Sequence, residues 1–297
     1  MTLVSLRQEF DAVAAGFAES AESCIVEELD DNEQTEVLDF LAQRPIHTVF
    51  MASLIRDNGL VSPQNRGSFY ACRDSQGRLE GVALLGHATL IETRTENSIS
   101  VFACLARNCQ NAYLIRGERD AINSFWKHYA GAAQEPRLVC GEQLFKLDEP
   151  SPSFEAVELR QATLNDLDKV LAVNASMALE EGGISPLQRD PVGFRHRTAR
   201  RIDQGRVWVW IQDGRLIFKA DVVGETPQVA YLEGVHVHAE ERQKGYGLRC
   251  LTQLSSILFT GCQSICLTVN ERNKKAAGLY TKAGYQFHSN YETIYLN

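Results

Sequence analysis

The sequence is most informative in the heptapeptide Arg242-Gln243-Lys244-Gly245-Tyr246-Gly247-Leu248. Its two glycines lie two residues apart, and glycine allows the backbone to turn sharply and to approach a ligand closely. The heptapeptide follows a strand-like stretch at 228–237 and precedes a helical pattern at 247–259. A helix start offers free N–H donors and the positive end of the helix dipole, so this loop suits a phosphate or pyrophosphate. A simple tight turn is the alternative interpretation of the same glycines.

The stretches around this heptapeptide predict a mixed α/β sheet. Alternating apolar residues indicate strands, and apolar residues at a helical spacing indicate helices. The predicted strands span 157–160, 206–211, 215–223, 228–237 and 264–269, and a pair of strand-like segments lies within 285–296. The predicted helices begin at Thr163-Leu164-Asn165-Asp166 and span 190–203, 247–259 and 273–282.

The N-terminal half shows a weaker form of the same pattern. The predicted helices span 33–41, 49–55 and 120–129, and the predicted strands span 68–73, 79–93 and 111–116. This order matches the second half in outline, so an internal structural duplication is a hypothesis. The segment Asp148-Glu149-Pro150-Ser151-Pro152-Ser153 is typical of a linker and divides the chain into domains at 1–149 and 150–297.

Composition and charge are those of a globular protein whose N-terminal half is acidic. Of the 297 residues, 44% are hydrophobic and 23% are charged, and each half is long enough to bury its own core. Residues 1–150 hold 13 Lys or Arg against 22 Asp or Glu, whereas residues 151–297 hold 17 against 16. The net charge of −8 argues against nonspecific binding to nucleic acid, which depends on neutralising phosphates.

The eight cysteines favour free thiols in a reducing compartment. They form no C-x-x-C pair and several lie in apolar runs, which is not typical of a metal site or a disulfide framework. The N-terminus lacks the basic and apolar regions of a signal peptide. No stretch approaches the roughly 20 apolar residues of a membrane span. We therefore expect a cytoplasmic protein without a bound metal or a membrane anchor.

Two elements of the C-terminal half resemble the acyl-CoA signature of the GNAT superfamily of N-acyltransferases. The first runs from the strand end at 235–237 through an acidic loop to Arg-x-x-Gly-x-Gly at 242–247. The second begins at Asn270 and continues through a helix with Leu279-Tyr280 to Gly284-Tyr285. The resemblance covers residues 155–297 and implies a GNAT fold there.

A less complete likeness extends to tandem proteins in which a degenerate GNAT-like half precedes an intact one. It implies a degenerate GNAT-like α/β domain in the first half of this chain. Residues 1–150 contain no Arg/Gln-x-x-Gly-x-Gly, so we expect no second cofactor site there.

The resemblance implies which residues bind the co-substrate, acetyl-CoA or another short acyl-CoA. Backbone amides of the loop hold the pyrophosphate in this family, and the adjoining strand end meets the pantetheine arm and the thioester, where an N–H stabilises the oxyanion. Asn273 matches a helix-start asparagine that contacts the cofactor, although a plain N-cap explains it equally well. The cofactor-binding set is then Val235, His236, Val237, Arg242, Gln243, Lys244, Gly245, Tyr246, Gly247, Leu248, Asn273 and Tyr280.

Tyr280 matches the tyrosine that protonates the departing CoA thiolate in this family. A phenol with a pKa of about 10 is neutral at working pH and can donate that proton. A core aromatic is the alternative. The candidate general bases are Glu233, the one carboxylate in the strand at 230–237, and His236, which titrates near neutral pH. We expect burial to raise the pKa of Glu233, and a water-mediated proton route is the third possibility.

A basic cluster on the predicted helix at 190–203 has two interpretations. It faces solvent, which we favour, or it binds an anionic acceptor. The cluster consists of Arg195, His196, Arg197, Arg200 and Arg201.

The predicted function is transfer of an acetyl group from acetyl-CoA to an amine. The acceptor is a small molecule or a peptide, and the amine attacks directly within a ternary complex. The alternative is a catalytically silent acyl-CoA-binding regulatory or interaction protein. An intact loop together with Tyr280 favours the enzyme, and other acyl groups such as succinyl or propionyl stay open.

Overall fold

The computed structural model describes residues 24–130, 135–150 and 157–297. The strands of these residues are β1 (Ile25–Glu28), β2 (Gly67–Arg73), β3 (Leu79–Gly86), β4 (Ala88–Thr93), β5 (Leu114–Glu118), β6 (Leu138–Leu147), β7 (Arg160–Gln161), β8 (Val207–Gln212), β9 (Arg215–Glu225), β10 (Val229–Val237), β11 (Ser264–Asn270) and β12 (Gln286–Tyr295). The α-helices are α1 (Gln34–Ala42), α2 (Pro45–Asn58), α3 (Glu96–Ala106), α4 (Arg119–Ala130), α5 (Leu167–Gly182), α6 (Pro186–Arg189), α7 (Pro191–Asp203), α8 (Tyr246–Leu258) and α9 (Lys274–Lys282).

The described strands form one continuous mixed sheet in the order β1-β2-β3-β4-β5-β12-β6-β11-β10-β9-β8-β7. The two halves of the chain exchange their last strands at its centre. Strand β6 from the first half pairs with β11, and β12 from the second half pairs with β5. The two exchanged strands also pair with each other along their full length, from Gln286–Lys146 to Tyr295–Leu138.

Each half repeats the same order of elements. Strand, two helices, three strands, helix, strand, helix and strand occur first from β1 to β6 and again from β7 to β12, with the short α6 as an addition. The parallel pair also recurs, as β4 with β5 and as β10 with β11. The structural duplication suggested by the sequence is thus present in the fold, and the mixed α/β sheet is confirmed.

Helices cover both faces of the sheet in each half. In the second half, α8 and α9 pack on one face through Leu251, Leu254 and Tyr280, while α5 and α7 pack on the other. In the first half, α3 and α4 cover one face and α1 and α2 the other. Over the central strands, Arg116 of β5 contacts Glu142 of β6, Glu233 of β10 and Thr268 of β11, and the side chains of Arg116 and Glu233 are partly exposed.

Local capping explains where several helices begin and end. Helix α7 starts at Pro191, as predicted, because the side chain of Asp190 accepts a hydrogen bond from Gly193 N. Helix α5 follows a capping box of Thr163 with Asp166. It ends at Gly183, whose positive φ of 72° suits glycine.

The structure corrects several predicted elements. Helix α3 and strand β6 were not predicted, and the stretch at 79–93 is two strands rather than one. The predicted pair of segments at 285–296 is wrong, because β12 is a single strand with an irregularity between Phe287 and Ser289. Strand β12 does not fold back on itself as a hairpin, because β6 is its antiparallel partner.

The prediction of free thiols is wrong for one pair of cysteines. Cys24 and Cys72 form a disulfide beside the antiparallel pair β1 and β2, with Cα atoms 6.1 Å apart. The remaining six, namely Cys104, Cys109, Cys140, Cys250, Cys262 and Cys266, are free.

Two further sequence predictions concern the linker and the membrane. Ser151 to Ser153 of the predicted linker lie outside the described residues, so a division at 149 and 150 stays a prediction. In the ranges that the structure describes, none of the helices combines the length and the apolar character that crossing a bilayer requires.

We predict that the two halves do not fold separately. A fragment of residues 151–297 loses β6, and with it the central partner of both β11 and β12. Exposed long strand edges lead to aggregation, so this fragment alone should aggregate or unfold without a cooperative transition. Co-expression with residues 1–150 should restore one cooperative thermal transition like that of the full chain. A soluble, monomeric 151–297 fragment with a cooperative transition of its own contradicts this.

Candidate functional site

Strands β10 and β11 separate in the middle of the second half. Their parallel pairing runs only from Val229–Ser264 to Leu232–Leu267, and the described part of β10 then continues to Val237 without β11. The separation coincides with an irregularity at Gly234, whose φ is 61°. Residues 229–232 are buried, whereas residues 233–237 are partly exposed. The strand therefore presents its backbone at an opening in the sheet.

A buried lysine holds the backbone at this opening. Lys219 is completely buried, forms an ion pair with Asp221 at 3.0 Å and donates a hydrogen bond to Gly234 O at 3.3 Å. A Cβ atom at Gly234 would lie 2.5 Å from the Lys219 Nζ atom. The irregularity in β10 thus depends both on glycine and on a buried cation beneath it.

The loop after β10 ends in an uncapped helix start. Gly245 is the N-cap residue of α8, its φ is 83°, and within the described residues this helix start has no side-chain cap. A Cβ atom at Gly245 would meet no described atom within 4 Å. The first N–H groups of α8 and the positive end of its dipole therefore suit a phosphate group.

The second glycine of the loop has a different role from the first. A Cβ atom at Gly247 would lie 3.0 Å from Val237 Cγ2 and 3.4 Å from Leu279 Cδ2. Gly247 therefore allows α8 to pack closely against β10 and α9. Close approach to a ligand was the role predicted for both glycines, but this contact indicates packing at Gly247.

The basic side chains of the loop are exposed and only partly neutralised. Lys244 pairs with Glu241 at 2.9 Å. Arg242 instead donates a hydrogen bond from Nε to the carbonyl oxygen of Val237 at 3.0 Å. Arg242 thus braces the loop against the strand end while its charge stays near the start of α8.

The corresponding helix start in the first half differs. Helix α3 follows β4 as α8 follows β10, but the Thr95 side chain accepts a hydrogen bond from Ser98 N at its start. Glu96 adds a negative charge to the first turn. A side-chain cap and an acidic residue both disfavour an anion at this position.

Tyr280 lies in the core beside the opening. Its side chain is 6% exposed, and its ring contacts those of Phe145 and Tyr285. Burial, together with the negative charge of Glu181, raises the pKa of its phenol, so that Tyr280 keeps its proton at neutral pH. Asn273 caps α9 by accepting a hydrogen bond from Ala276 N at 3.1 Å, which fits the simpler of the two interpretations given for that residue.

Glu233 is held by two partners at the opening. Its Oε1 atom accepts hydrogen bonds from Arg116 at 2.7 Å and from the Tyr231 hydroxyl at 2.7 Å. Burial raises the pKa of the carboxyl, but the charge of Arg116 and these hydrogen bonds outweigh it, so the pKa lies below its ordinary value. The expectation that burial gives Glu233 a raised pKa is therefore wrong.

His236 is a weak base at this site. Burial and the positive charges of Arg242 and Lys219 lower its pKa to about 4. It is therefore neutral at pH 7, but it holds a proton poorly.

Glu181 is a carboxylate that the sequence analysis did not single out. It lies at the C-terminal end of α5, beside β6, where its carbonyl faces the Cys140 sulfur at 3.9 Å. Burial, together with the negative charges of Glu233 and Glu142, raises its pKa to about 7, against the opposing charges of Arg116 and Lys219. By its accessible surface Glu181 is an exposed residue, so solvent reduces the effect of burial on this carboxyl. No local pattern marks this glutamate, because its neighbours come from four other elements.

The arginines of α7 are engaged in contacts that do not point to an anion site. Arg195 pairs with Asp168 at 2.7 Å, Arg197 with Asp190 at 2.9 Å and Arg201 with Asp221 at 3.1 Å. Arg200 donates to the Asn58 side chain at 2.8 Å. Since these arginines are already paired, the solvated and structural interpretation of this cluster is favoured.

Comparison with known families agrees with this fold. Residues 176–285 match the model of the acetyltransferase (GNAT) family. No curated protein matches the sequence.

Solved structures show that the fold extends over most of the chain. A Drosophila protein aligns over 93% of this chain and 99% of its own, with a TM-score of 0.63 and 13% identity. A GCN5-related N-acetyltransferase from Sphaerobacter thermophilus covers 93% and 97%, with a TM-score of 0.59 and 15% identity. A tandem GNAT protein from the clavulanic acid biosynthesis pathway covers 92% and 98%, with a TM-score of 0.56 and 15% identity. The fold of these proteins therefore extends over both halves of this chain.

We predict that replacing Gly245 by alanine lowers the stability of the protein, whereas the same replacement at Gly278 raises it. Gly245→Ala places a Cβ atom on a left-handed residue and should cost about 1 kcal/mol. The control is Gly278→Ala in α9, where a Cβ atom meets nothing within 4 Å and a glycine within a helix is replaced, which should stabilise by about 0.5–1 kcal/mol. Denaturant unfolding measures both changes. Equal stability of the two variants would show that the left-handed conformation at Gly245 is not required.

Proposed function

We propose that this chain is an N-acyltransferase that transfers an acetyl group from acetyl-CoA to an amine. One observation carries the proposal: the opening between β10 and β11 adjoins an uncapped helix start led by a left-handed glycine. An acyl-CoA carries both a pyrophosphate for the helix start and an extended arm that can pair with a free strand edge. The GNAT family model over residues 176–285 supports the same reading.

The residues proposed for co-substrate binding follow from this arrangement. The backbone amides of residues 243–248 bind the pyrophosphate, and Arg242 adds charge beside it. The backbone of residues 235–237 meets the pantetheine arm, and an N–H there stabilises the oxyanion that forms on the thioester carbonyl. The side chain of Asn273 caps α9, so we expect any cofactor contact from that helix start to be secondary.

In the proposed chemical step, a neutral amine attacks the thioester carbonyl directly. The carbon–nitrogen bond forms as the carbon–sulfur bond breaks, and the departing sulfur takes up a proton. Tyr280 is the proposed donor, because its phenol stays protonated in the core at the edge of the opening. The amine loses one proton to a base, so that protons balance over the reaction.

We assign the base role to Glu181 in preference to Glu233 or His236. A base is most effective when its pKa lies near the working pH, and burial with two neighbouring carboxylates raises the pKa of Glu181 to about 7. Glu233 is committed to Arg116 and Tyr231, which suits binding better than proton transfer. The low pKa of His236 makes it a poor proton acceptor.

The charge of the glutamates near the opening supports an amine as the acceptor. Glu142, Glu181 and Glu233 act on one another electrostatically, and Arg116 is the cation paired with two of them. An amine arrives mainly as a positively charged ammonium group, and the excess of carboxylates favours it. We propose that this amine belongs to a small molecule or a peptide.

The function is tested by CoA thiol release from acetyl-CoA in the presence of a panel of primary amines. We expect amine-dependent release, and we expect Tyr280→Phe to lower kcat by about 10²–10⁴, as for other general acids. Acetyl-CoA affinity should hardly change, because the proton acts in the transition state rather than in binding.

The matched control for this variant is Tyr285→Phe. It removes a hydroxyl from the same core, where that hydroxyl hydrogen-bonds to Ser255 Oγ at 3.0 Å. This change should cost about 1 kcal/mol of stability without lowering kcat. Acetyl-CoA binding with no release for any amine would favour the silent regulatory protein, and wild-type turnover of Tyr280→Phe would make Tyr280 a core aromatic only.

We predict that Glu181 governs the acidic side of the pH profile. In the wild type, kcat/KM should rise with pH through about 7, as the carboxyl loses its proton. Glu181→Gln should lower kcat and abolish this rise. The control is Glu180→Gln, at an exposed neighbour that contacts Ser176 at 3.4 Å, and it should keep the wild-type profile.

Stability gives a second measurement of the same group. The folded pKa of about 7 lies above the ordinary value of 4.5, so the folded state holds this proton more firmly than the unfolded state. Stability therefore falls as pH rises from 4.5 to 7, and Glu181→Gln should gain in melting temperature over the wild type across that window. An unchanged difference across pH would rule out the raised pKa.

A further inference from the structure

Arg116 belongs to the first half but reaches the opening in the second. It lies on β5, opposite Thr293 of β12. Its guanidinium bonds Glu233 on β10 at 2.7 Å, although β12, β6 and β11 lie between β5 and β10 in the sheet. Since neighbouring strands are about 4.8 Å apart, two side chains can meet in this way only where the sheet curves strongly around them.

Arg116 holds three elements together at this point. It pairs with Glu142 on β6 at 3.2 Å and donates a short hydrogen bond to Thr268 on β11, in addition to its contact with Glu233. Each of these partners has a further contact. Thr293 donates to Glu142 at 2.6 Å, and the Tyr231 hydroxyl contacts Thr268 at 3.1 Å.

We propose that Arg116 is a positioning residue for acyl transfer: it fixes Glu233 and Tyr231 beside the opening, so that both halves of the chain build the acceptor site. This inference rests on the proposed function. It also gives the first half a role other than cofactor binding. The exchanged strands β12 and β6 lie between β5 and β11, so this contact spans the junction of the two halves.

The network is partly exposed to solvent, which distinguishes it from a sealed ion pair. The side chains of Arg116 and Glu233 are 22% and 37% exposed. The charged groups with the largest effect on Glu181 are Glu233, Arg116, Glu142 and Lys219. Its charge also acts on the titratable side chains of Tyr280, Tyr295 and Cys140. Arg116 is therefore placed both to orient Glu233 and to oppose the negative charges that act on the proposed base.

The test compares Arg116→Gln and Arg116→Lys with a control, Arg73→Gln. Arg73 also lies in the first half and bonds three carboxylates, Glu27, Glu33 and Glu36, but at the far edge of the sheet. The measurements are melting temperature, acetyl-CoA affinity, kcat/KM as a function of pH, and NMR titration of the Glu181 and Glu233 carboxyl groups.

We expect Arg116→Gln to lower kcat/KM by about 10- to 100-fold, as for a small misplacement of a reacting group. In the same variant we expect the acidic limb of the plot of kcat/KM against pH, and the titration of Glu181, to move to higher pH by about one unit, because a positive charge that opposes its neighbours is lost. Arg116→Lys keeps the charge but loses the forked guanidinium that contacts Glu233, Glu142 and Thr268 at once. It should therefore restore the position of the acidic limb more fully than the rate. Arg73→Gln should lose stability without either change.

Three results would decide against the proposal or its basis. Arg116 would be merely a structural residue if Arg116→Gln lost kcat/KM in proportion to its loss of stability and kept the acidic limb of the pH profile at the wild-type position. An unchanged carboxyl titration in both Arg116 variants would overturn the proposal whether or not turnover is seen. A wild type without turnover, but with the expected shift in titration, would contradict the proposed function while leaving the coupling between Arg116 and the carboxylates in place.

Discussion

The pairing of β6 with β11 and β12 is the contact on which the rest of the structure depends. It joins two repeats of one element order into a single sheet, and it does so with a strand from each half. Backbone hydrogen bonds of a central strand are satisfied on both sides, so neither half can release its exchanged strand without leaving two long edges unpaired. The site described above lies directly beside this junction.

The junction determines what surrounds the opening between β10 and β11. The neighbour of β11 on its other side is β6, which carries Glu142, and the next strands bring Thr293 and Arg116. The resulting group combines one arginine with three glutamates. The arginine is paired with Glu142 and Glu233 and offsets the repulsion between these carboxylates. Glu181 is not paired with this arginine, and burial together with the charges of Glu233 and Glu142 raises its pKa.

The two repeats show how one fold supports different local chemistry. The helix start after β10 is led by Gly245 and is uncapped, whereas the helix start after β4 is capped by Thr95 and carries Glu96. In the first repeat, Glu92 is buried between Arg44 and Arg94 near the end of β4. The backbone topology is thus shared, and a few side chains at the helix start and strand end decide whether an anion fits.

The sequence by itself determined the features that depend on neighbouring residues. The strand, the glycine loop and helix α8 lie within thirty-one consecutive residues, from 228 to 258, so periodicity and turn chemistry were enough to predict them. Only the tertiary structure decided the exchange of β6 and β12 and the meeting of Arg116, Glu142, Glu181 and Glu233. Strand pairing is a long-range choice made by the packing of whole faces, and no periodicity records which strand lies beside which. The direction of the pKa shift at Glu233 followed from the same cause, because the arginine that lowers it is 117 residues away in the chain.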